Sequence, residues 1–303
     1  MKIKSFRVVL YAFVGFQLTI SVANAESIES GGWQLKYTDK GSGPAMVAVH
    51  GAVSDHRTWS AYEQRFAEKY RFITYDRRFY GQGMWPENPP SYNHSDHAED
   101  LATVIRELQV GPAHVVAISS GAYAAVIVAA KYPELVASLS LWEPFVGDDL
   151  LSSVELEEDT SSMMKDWGAS WGPVFEVFQT GDYEQTVEKF IEVVFEMEAG
   201  SFSSLSESKQ KVFRENAKTL PVLFNQNAKT TDKVTCDFLS RIKTPTLVLL
   251  GSDTHPGYSI RHSLVRDCIP EAKEAIIADV THNGAAVKPL EVSQRVLQFL
   301  DDL

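Results

Sequence analysis

One short stretch of the sequence places a serine where it could act as a nucleophile. The segment HVVAISSGAYA, which begins at residue 114, runs a β-branched strand into two serines, a glycine and a helix of small residues. A nucleophile on a sharp strand-to-helix turn needs small residues two positions before and two after it, because backbone and helix crowd both places. Ser119 has Ala117 and Gly121 at those positions. Ser120 has Ile118 at the first of them, which would clash. The spacing predicts Ser119 as the nucleophile, and the alternative is a serine that only caps the helix.

A serine hydroxyl needs a base to accept its proton at neutral pH. The last predicted strand, Glu274–Asp279, leads into the segment ADVTHNGAAVKP, which supplies His282 before the final helix. A histidine on a loop after the last strand is well placed to act as a general base, so we predict this role for His282. Four other histidines lack this setting at the end of the chain: His50, His56, His255 and His262.

Attack on a carbonyl places negative charge on its oxygen, which backbone N–H groups can stabilise. One such group belongs to the residue after the nucleophile, Ser120. The second is expected in the loop after the strand Ala45–His50, where Gly51 permits a tight approach. We therefore predict that the amides of Ala52 and Ser120 form the oxyanion hole.

The order of elements predicts the scaffold that brings these residues together. Near-continuous apolar strands separated by helices indicate a mainly parallel, doubly wound α/β sheet covered on both faces. The predicted strands are Trp33–Tyr37, Ala45–His50, Arg71–Asp76, His114–Ile118, Ala137–Trp142, Pro245–Gly251 and Glu274–Asp279. The helices expected between and after them include Thr58–Tyr70, one beginning at Ser95, Ala122–Lys131 and Leu290–Leu303.

This alternation stops between about Gly147 and Lys243, where only helical patterns occur, such as Tyr183–Glu198 and Gln210–Lys218. We interpret residues 147–241 as a helical cap inserted into a core made of residues 26–146 and 242–303. Aromatic and sulfur side chains of the cap either form its own core or line an apolar pocket. These are Met163, Met164, Trp167, Trp171, Phe175 and Phe178.

Several motifs together resemble the α/β-hydrolase superfamily over roughly residues 33–146 and 242–303. They are His50-Gly51, YDRRFYGQG (Tyr75–Gly83), the turn at Ser119, KTPTLVLLGSD (Lys243–Asp253) and THNGAAVKP (Thr281–Pro289). The resemblance implies an α/β-hydrolase fold and an activity such as that of an esterase, lactonase, thioesterase or amidase. Dehalogenases and epoxide hydrolases of this superfamily use Asp where this chain has Ser119, which argues against both reactions. Family members commonly hold residues such as Asp76, Arg77 and Arg78 in loop-anchoring hydrogen bonds, so these stay outside the predicted mechanism.

The resemblance leaves the third member of the triad, a carboxylate that orients the histidine, open between two residues. Most relatives carry it three residues after the glycine that ends the penultimate strand, which here is Thr254. Asp253 lies one residue earlier and would need a reshaped turn. Glu143 follows the strand after the turn helix, where certain lactonases and dehalogenases carry the acid. We favour Glu143 and keep Asp253 as the alternative.

Composition and the first residues indicate an exported, acidic protein. The chain has 28 Lys and Arg against 40 Asp and Glu, and such a charge would repel nucleic acid. Residues 1–25 combine three basic residues, an apolar run shorter than a membrane span and an Ala-Asn-Ala end, as a secretory signal does. Removing them takes the net charge from −12 to −15. We expect cleavage after Ala25 and a periplasmic or secreted chain without a membrane span; the alternative is that these residues stay uncleaved as a membrane anchor.

Cys236 and Cys268 are the only cysteines. Their pairing is allowed in an oxidising compartment, but the sequence does not show whether their Cα atoms come within reach.

The sequence thus predicts a serine hydrolase that cleaves a carboxylic ester or lactone of a small, moderately apolar molecule, without metal or organic cofactor. Hydrolysis of another acyl bond (amide, thioester or carbon–carbon) stays open, since a triad does not distinguish leaving groups. A ligand-binding or sensor protein on a hydrolase fold is the alternative of another class. The oligomeric state does not follow from the sequence.

Overall fold

The described residues form a mainly parallel sheet of eight strands in the order β1-β2-β4-β3-β5-β6-β7-β8. The computed structural model describes residues 26–83, 85–88, 90–225 and 231–303, so the expected signal peptide lies outside the described residues. The strands are β1 (Glu26–Ser30), β2 (Trp33–Lys40), β3 (Ala45–Val49), β4 (Arg71–Tyr75), β5 (Ala113–Ile118), β6 (Val136–Trp142), β7 (Thr246–Gly251) and β8 (Lys273–Ile277). Strands β1 and β2 pair antiparallel at one end, and β3 to β8 are parallel.

Thirteen α-helices occur in the described residues. Those that precede β7 are α1 (Glu63–Ala67), α2 (His94–Glu107), α3 (Gly121–Lys131), α4 (Asp148–Ser152), α5 (Glu158–Ala169), α6 (Gly172–Gln179), α7 (Tyr183–Val194), α8 (Glu207–Glu215), α9 (Leu220–Leu223) and α10 (Cys236–Leu239). The others are α11 (Pro256–Cys268), α12 (Gly284–Val287) and α13 (Pro289–Asp301).

The sheet is covered on both faces because its central strands are apolar on both sides. In β3, Val47 and Val49 pack into one buried cluster with α2 and α3, whereas Met46 and Ala48 pack into a second with α1 and α13. This alternation follows from the two-residue period of a strand. All four side chains are fully buried, and burying one of the larger ones stabilises the fold by roughly 1.5–3 kcal/mol. The predicted doubly wound α/β class is confirmed.

Two elements differ from the sequence prediction. Strand β1 was not predicted, because its Ser27 and Glu29 are exposed polar residues at the edge of the sheet. The single helix predicted over Thr58–Tyr70 is instead a 3-10 helix, His56–Ala61, followed by the short α1. Its aromatic residues nevertheless pack on the sheet as their spacing suggested.

Between β6 and β7 the described residues form helices and connecting loops but no strand. Helices α6, α7 and α8 enclose their own apolar cluster, which includes Val174, Val187, Ile191 and Phe213. This insertion lies beyond the carboxyl end of β6, the edge of the sheet at which ligands bind in α/β folds.

Cys236 and Cys268 form a disulfide with their Cα atoms 5.1 Å apart, which joins the start of α10 to the end of α11. Among the described residues, no helix is both long and apolar enough to cross a membrane.

Candidate active site

Ser119 occupies the turn between β5 and α3, with a backbone φ of +52°. A non-glycine residue in this region costs on the order of 1–3 kcal/mol, so surrounding contacts must hold it there. Its N–H donates to the carbonyl of Trp142 at 2.9 Å, and its carbonyl accepts from the N–H groups of Ala122 and Phe145 at 3.0 and 3.1 Å. The strained turn is thereby fixed to the next strand of the sheet.

The small residues on either side of Ser119 have the steric reason that the sequence suggested. A Cβ on Gly121 would lie 2.6 Å from the carbonyl oxygen of His50 and 2.7 Å from that of Val49. Ala117 is fully buried between the layers. Helix α3 can therefore approach β3 only with glycine at position 121.

His282 and Glu143 lie in direct contact at the carboxyl edge of the sheet. Glu143 follows β6 with a φ of +38°, and its Oε2 is 2.6 Å from Nδ1 of His282 in the loop after β8. The side chains of His282 and Glu143 are only 3% and 0% exposed. A buried carboxylate requires several donors, and here the Gly251 N–H at 2.8 Å and the Thr254 hydroxyl at 2.9 Å supply them. With Nδ1 engaged, Nε2 is the ring nitrogen that can exchange a proton with a group in the cavity.

Asp253, the alternative acid, lies on the surface. Its carboxylate accepts from the hydroxyl of Ser252 at 2.7 Å, and its N–H donates to the carbonyl of Val280 at 3.0 Å. The turn after β7 thus brings Thr254, rather than Asp253, to the buried carboxylate.

Two aromatic residues hold the ring and backbone of His282. Tyr258, in the first turn of α11, stacks on the imidazole with ring centroids 4.0 Å apart and planes 14° apart. Trp142 donates its indole N–H to the carbonyl of His282 at 3.1 Å. Tyr258 was not predicted from the sequence. The pattern that could have indicated it is an aromatic residue soon after Gly251, the glycine that ends the penultimate strand.

The peptide between Gly51 and Ala52 is oriented by two buried side chains. The Gly51 carbonyl is 2.8 Å from Nδ1 of His50 and accepts from Nη2 of Arg77 at 2.8 Å. The Arg77 N–H donates to Nε2 of His50 at 3.1 Å, so the other ring nitrogen carries the proton. Burial, and next the Arg77 charge, lower the pKa of His50 to about 3, which keeps the ring neutral. Since C=O and N–H of a trans peptide point in opposite directions, the Ala52 N–H points away from both side chains.

Ser120 is the N-cap residue of α3, so its amide lies at the positive end of a helix of 11 residues. Its hydroxyl accepts from Arg77 Nη2 at 3.2 Å, which joins it to the peptide after Gly51. Arg77 is 1% exposed and its guanidinium lies over the ring of Tyr80. Arg77, which was predicted to lie outside the mechanism, bonds to both predicted oxyanion segments, at the Gly51 carbonyl and the Ser120 hydroxyl.

A family model described as the alpha/beta hydrolase fold matches residues 44–289 of the chain. The chain belongs to the α/β-hydrolase family. This match covers the strands that carry the serine, the histidine and the carboxylate.

Known α/β-hydrolases differ in what they act on. A 2-(acetamidomethylene)succinate hydrolase from Mesorhizobium japonicum is 32% identical over 139 residues, or 45% of this chain and 49% of that one. The chain therefore spans about half the length of this curated relative. Among solved structures, the N-acyl homoserine lactone degrading enzyme Est816 superposes with a TM-score of 0.69 at 22% identity, covering 90% of this chain and 99% of that one. A hydrolase from Pseudomonas aeruginosa gives a TM-score of 0.69 at 20% identity, covering 92% and 99%. Both structures show the shared fold.

A cavity of about 1340 Å³ lies between the hydrolase core and the helical insertion. The cavity is lined by the predicted nucleophile, the base and both predicted oxyanion residues: Ser119, His282, Ala52 and Ser120. Most of its remaining walls are apolar or aromatic, which suits a ligand with a sizeable apolar part.

The insertion supplies many of these walls. Of the candidates named from the sequence, the lining residues are Met164, Trp167, Trp171 and Phe175. Met163 is instead exposed, and Phe178 packs against Phe224 within the insertion.

Asp55, His56 and Asp76 form the one group among the described residues whose side chains could converge on a metal ion. Each carboxylate already has donors: Asp55 accepts from Arg57 and Asn216, and Asp76 accepts from the backbone and ring of His56. Those bonds give the group a structural explanation, and it does not line the cavity.

Proposed function

We propose that the protein is a serine hydrolase that cleaves a carboxylic ester or lactone through an acyl-enzyme, with Ser119, His282 and Glu143 as its triad. The observation that carries the proposal is the 2.6 Å contact between Glu143 and His282, behind the wall of a cavity that His282 and Ser119 both line. A buried acid–histidine pair beside a serine on a strained turn is the arrangement that activates a hydroxyl.

In the first half of the reaction, Ser119 Oγ attacks the substrate carbonyl and His282 Nε2 takes its proton. The Ala52 and Ser120 amides donate to the oxyanion, and His50 and Arg77 fix the first of these donors. Collapse of the tetrahedral intermediate breaks the acyl–oxygen bond, and His282 protonates the departing alcohol.

In the second half, His282 removes a proton from water, and the hydroxide attacks the acyl-enzyme. The carboxylic acid leaves and Ser119 regains its proton. Throughout, Glu143 holds Nδ1–H and stabilises the imidazolium, while the stacked Tyr258 fixes the plane of the ring.

Hydrolysis of an amide is a second candidate. It is favoured by the name of the relative from Mesorhizobium japonicum, a hydrolase of an acetamido compound. The same triad would serve, with His282 protonating an amine instead of an alcohol. Parallel assays of an ester and an amide with the same acyl group distinguish the two candidates.

The first test is labelling of residues 26–303 with a fluorophosphonate, read by intact mass. We expect one adduct, absent in Ser119→Ala and present in the neighbouring variant Ser120→Ala, whose backbone amide is retained. No adduct on the folded protein, together with tight binding of a ligand that is not turned over, would favour the sensor alternative over a hydrolase.

We also propose that the chain is exported after removal of residues 1–25. The disulfide between Cys236 and Cys268 supports this, because such bonds persist in oxidising compartments. Cell fractionation and the N-terminal mass of the recovered protein test it, and a full-length chain recovered from the cytoplasm would contradict it.

A further inference from the structure

The cavity above Ser119 carries a charge opposite in sign to that of the whole chain. The chain has a net charge of −12, yet of the residues that the structure describes, one acidic residue, Asp148, lines the cavity. Five basic residues of the same described set line it: Arg57, Lys165, Lys209, Lys211 and Arg261. A cleft with its own sign of charge concentrates ligands of the opposite sign.

Three of these cations already have carboxylate partners, and one of them, the exposed Lys211, pairs with Glu215 at 3.9 Å. Arg57 pairs with Asp55 and Glu215, each at 2.6 Å. Arg261 pairs with Asp148 at 2.7 Å. These guanidinium groups therefore have protein carboxylates as their partners.

Lys209 is different, because its ammonium is half-buried and no carboxylate of the described residues pairs with it. Its Nζ donates to the carbonyl of Ala286 at 2.9 Å, in the segment that follows His282. An ammonium has three N–H donors, so further donors remain for a ligand. Burial lowers the pKa of Lys209, and no carboxylate of the described residues opposes that shift. An anionic ligand would supply one.

We propose that the substrate carries a carboxylate on its leaving-group side and that Lys209 binds it. We place that carboxylate on the leaving-group side because Lys209 bonds to the segment that follows His282, and His282 must deliver its proton to the leaving oxygen. The apolar walls then accept the acyl part. The substrate class is an ester formed between an apolar acid and a hydroxy acid. This inference rests on the proposed ester hydrolysis.

The test compares two esters of equal size, the hexanoates of 4-hydroxybenzoate and 4-hydroxybenzamide, through the ratio of their kcat/KM values. A ratio removes any loss common to both substrates. We expect Lys209→Met to lower the carboxylate-to-amide ratio about tenfold and Lys209→Arg to preserve it. Lys243→Met is the matched control, because Lys243 also donates to a backbone carbonyl, that of Ser240 at 3.2 Å, but does not line the cavity.

An unchanged ratio in Lys209→Met, with both esters still hydrolysed, would overturn the inference and leave the proposed function standing. If neither ester is hydrolysed, the proposed ester hydrolysis is wrong. Calorimetry of binding then tests the carboxylate site separately. The uncleavable ethers 4-(hexyloxy)benzoate and 4-(hexyloxy)benzamide are the probes. The wild-type protein should then bind the carboxylate about tenfold more tightly than it binds the amide, and equal affinities for the two probes would refute the site.

Discussion

Glu143 accepts hydrogen bonds from the turn after β7, and Asp253 lies within that turn, but the two carboxylates differ in their exposure to solvent. Glu143 is buried and bonded to His282, whereas Asp253 is exposed. We expect Glu143→Gln to lower kcat by about 10³–10⁴-fold, because the amide favours the wrong tautomer of the histidine. Asp253→Asn should change kcat by less than about twofold, since surface substitutions have small effects. Steady-state assays on one ester check both, and the reverse ranking would refute the assignment of the acid.

The placement of Ser119 on the turn after β5 and of His282 on the loop after β8 could be predicted, because each depends on local pattern, namely small flanking residues or a loop after the last strand. Which carboxylate contacts His282 could not be predicted in that way. Its position depends on how the turn after β7 folds back, which brings the Gly251 amide and the Thr254 hydroxyl to Glu143. Arg77 was missed for a related reason, since it acts through the orientation of the Gly51 carbonyl.

At the scale of elements, α3 and β3 meet more closely than any residue but glycine allows. We expect Gly121→Ala to destabilise the protein by about 2 kcal/mol and to lower kcat, because a Cβ there would meet backbone oxygens at 2.6 and 2.7 Å. Urea unfolding and an ester assay measure the two effects.

Gly172→Ala is the control for that substitution. A Cβ at Gly172, at the start of α6, meets no atom within 4 Å. Alanine should be neutral there or stabilise the helix by up to about 1 kcal/mol. Equal destabilisation by both variants would show that close approach is not the cause.

Helix α11 connects the site with the rest of the fold. Tyr258 stacks on His282, Arg261 lies against the rings of Phe145 and Trp167, and Cys268 closes the disulfide. The sequence could not decide the disulfide, because cysteines 32 residues apart give no information on their Cα separation.

We expect the double variant Cys236→Ser/Cys268→Ser to lose about 3–4 kcal/mol of unfolding free energy, mainly because the unfolded chain gains freedom. Its kcat should change much less, since Tyr258 and Arg261 also hold α11 to the site. Denaturant melts of the oxidised protein and the variant measure the loss. A fall in kcat as large as that of Glu143→Gln would instead make the disulfide part of the positioning of His282.

For the whole molecule, three histidines link stability to pH: His50 and His97, which are buried, and His94, which is half-buried. Burial is the largest cause that lowers the pKa of His50 and His94 to about 3 and that of His97 well below 6.5. Below about pH 6.5 the unfolded chain therefore binds more protons than the folded one, so the free energy of unfolding falls as pH falls. Between pH 7 and pH 5 each histidine should contribute a loss of about 2 kcal/mol.

His97→Phe tests that linkage. Both ring nitrogens of His97 lack a hydrogen-bond partner among the described residues, and its ring packs against Phe79 and Tyr92. Phenylalanine fits such a site and does not titrate, so the loss between pH 7 and pH 5 should shrink by about 2 kcal/mol. Urea melts at the two pH values give the difference, and an unchanged loss would mean that His97 is protonated or solvated in the folded state.

The helical insertion leaves the sheet after β6 and returns at β7, and these two strands are direct neighbours. Lengthening such an insertion costs little entropy, because the cost of closing a loop grows only with the logarithm of its length. Ser119 and His282 lie outside the helical insertion, in the segments that follow strands β5 and β8 of the sheet. In evolutionary terms, residues between these strands could diverge, and selectivity with them, while the core keeps its chemistry.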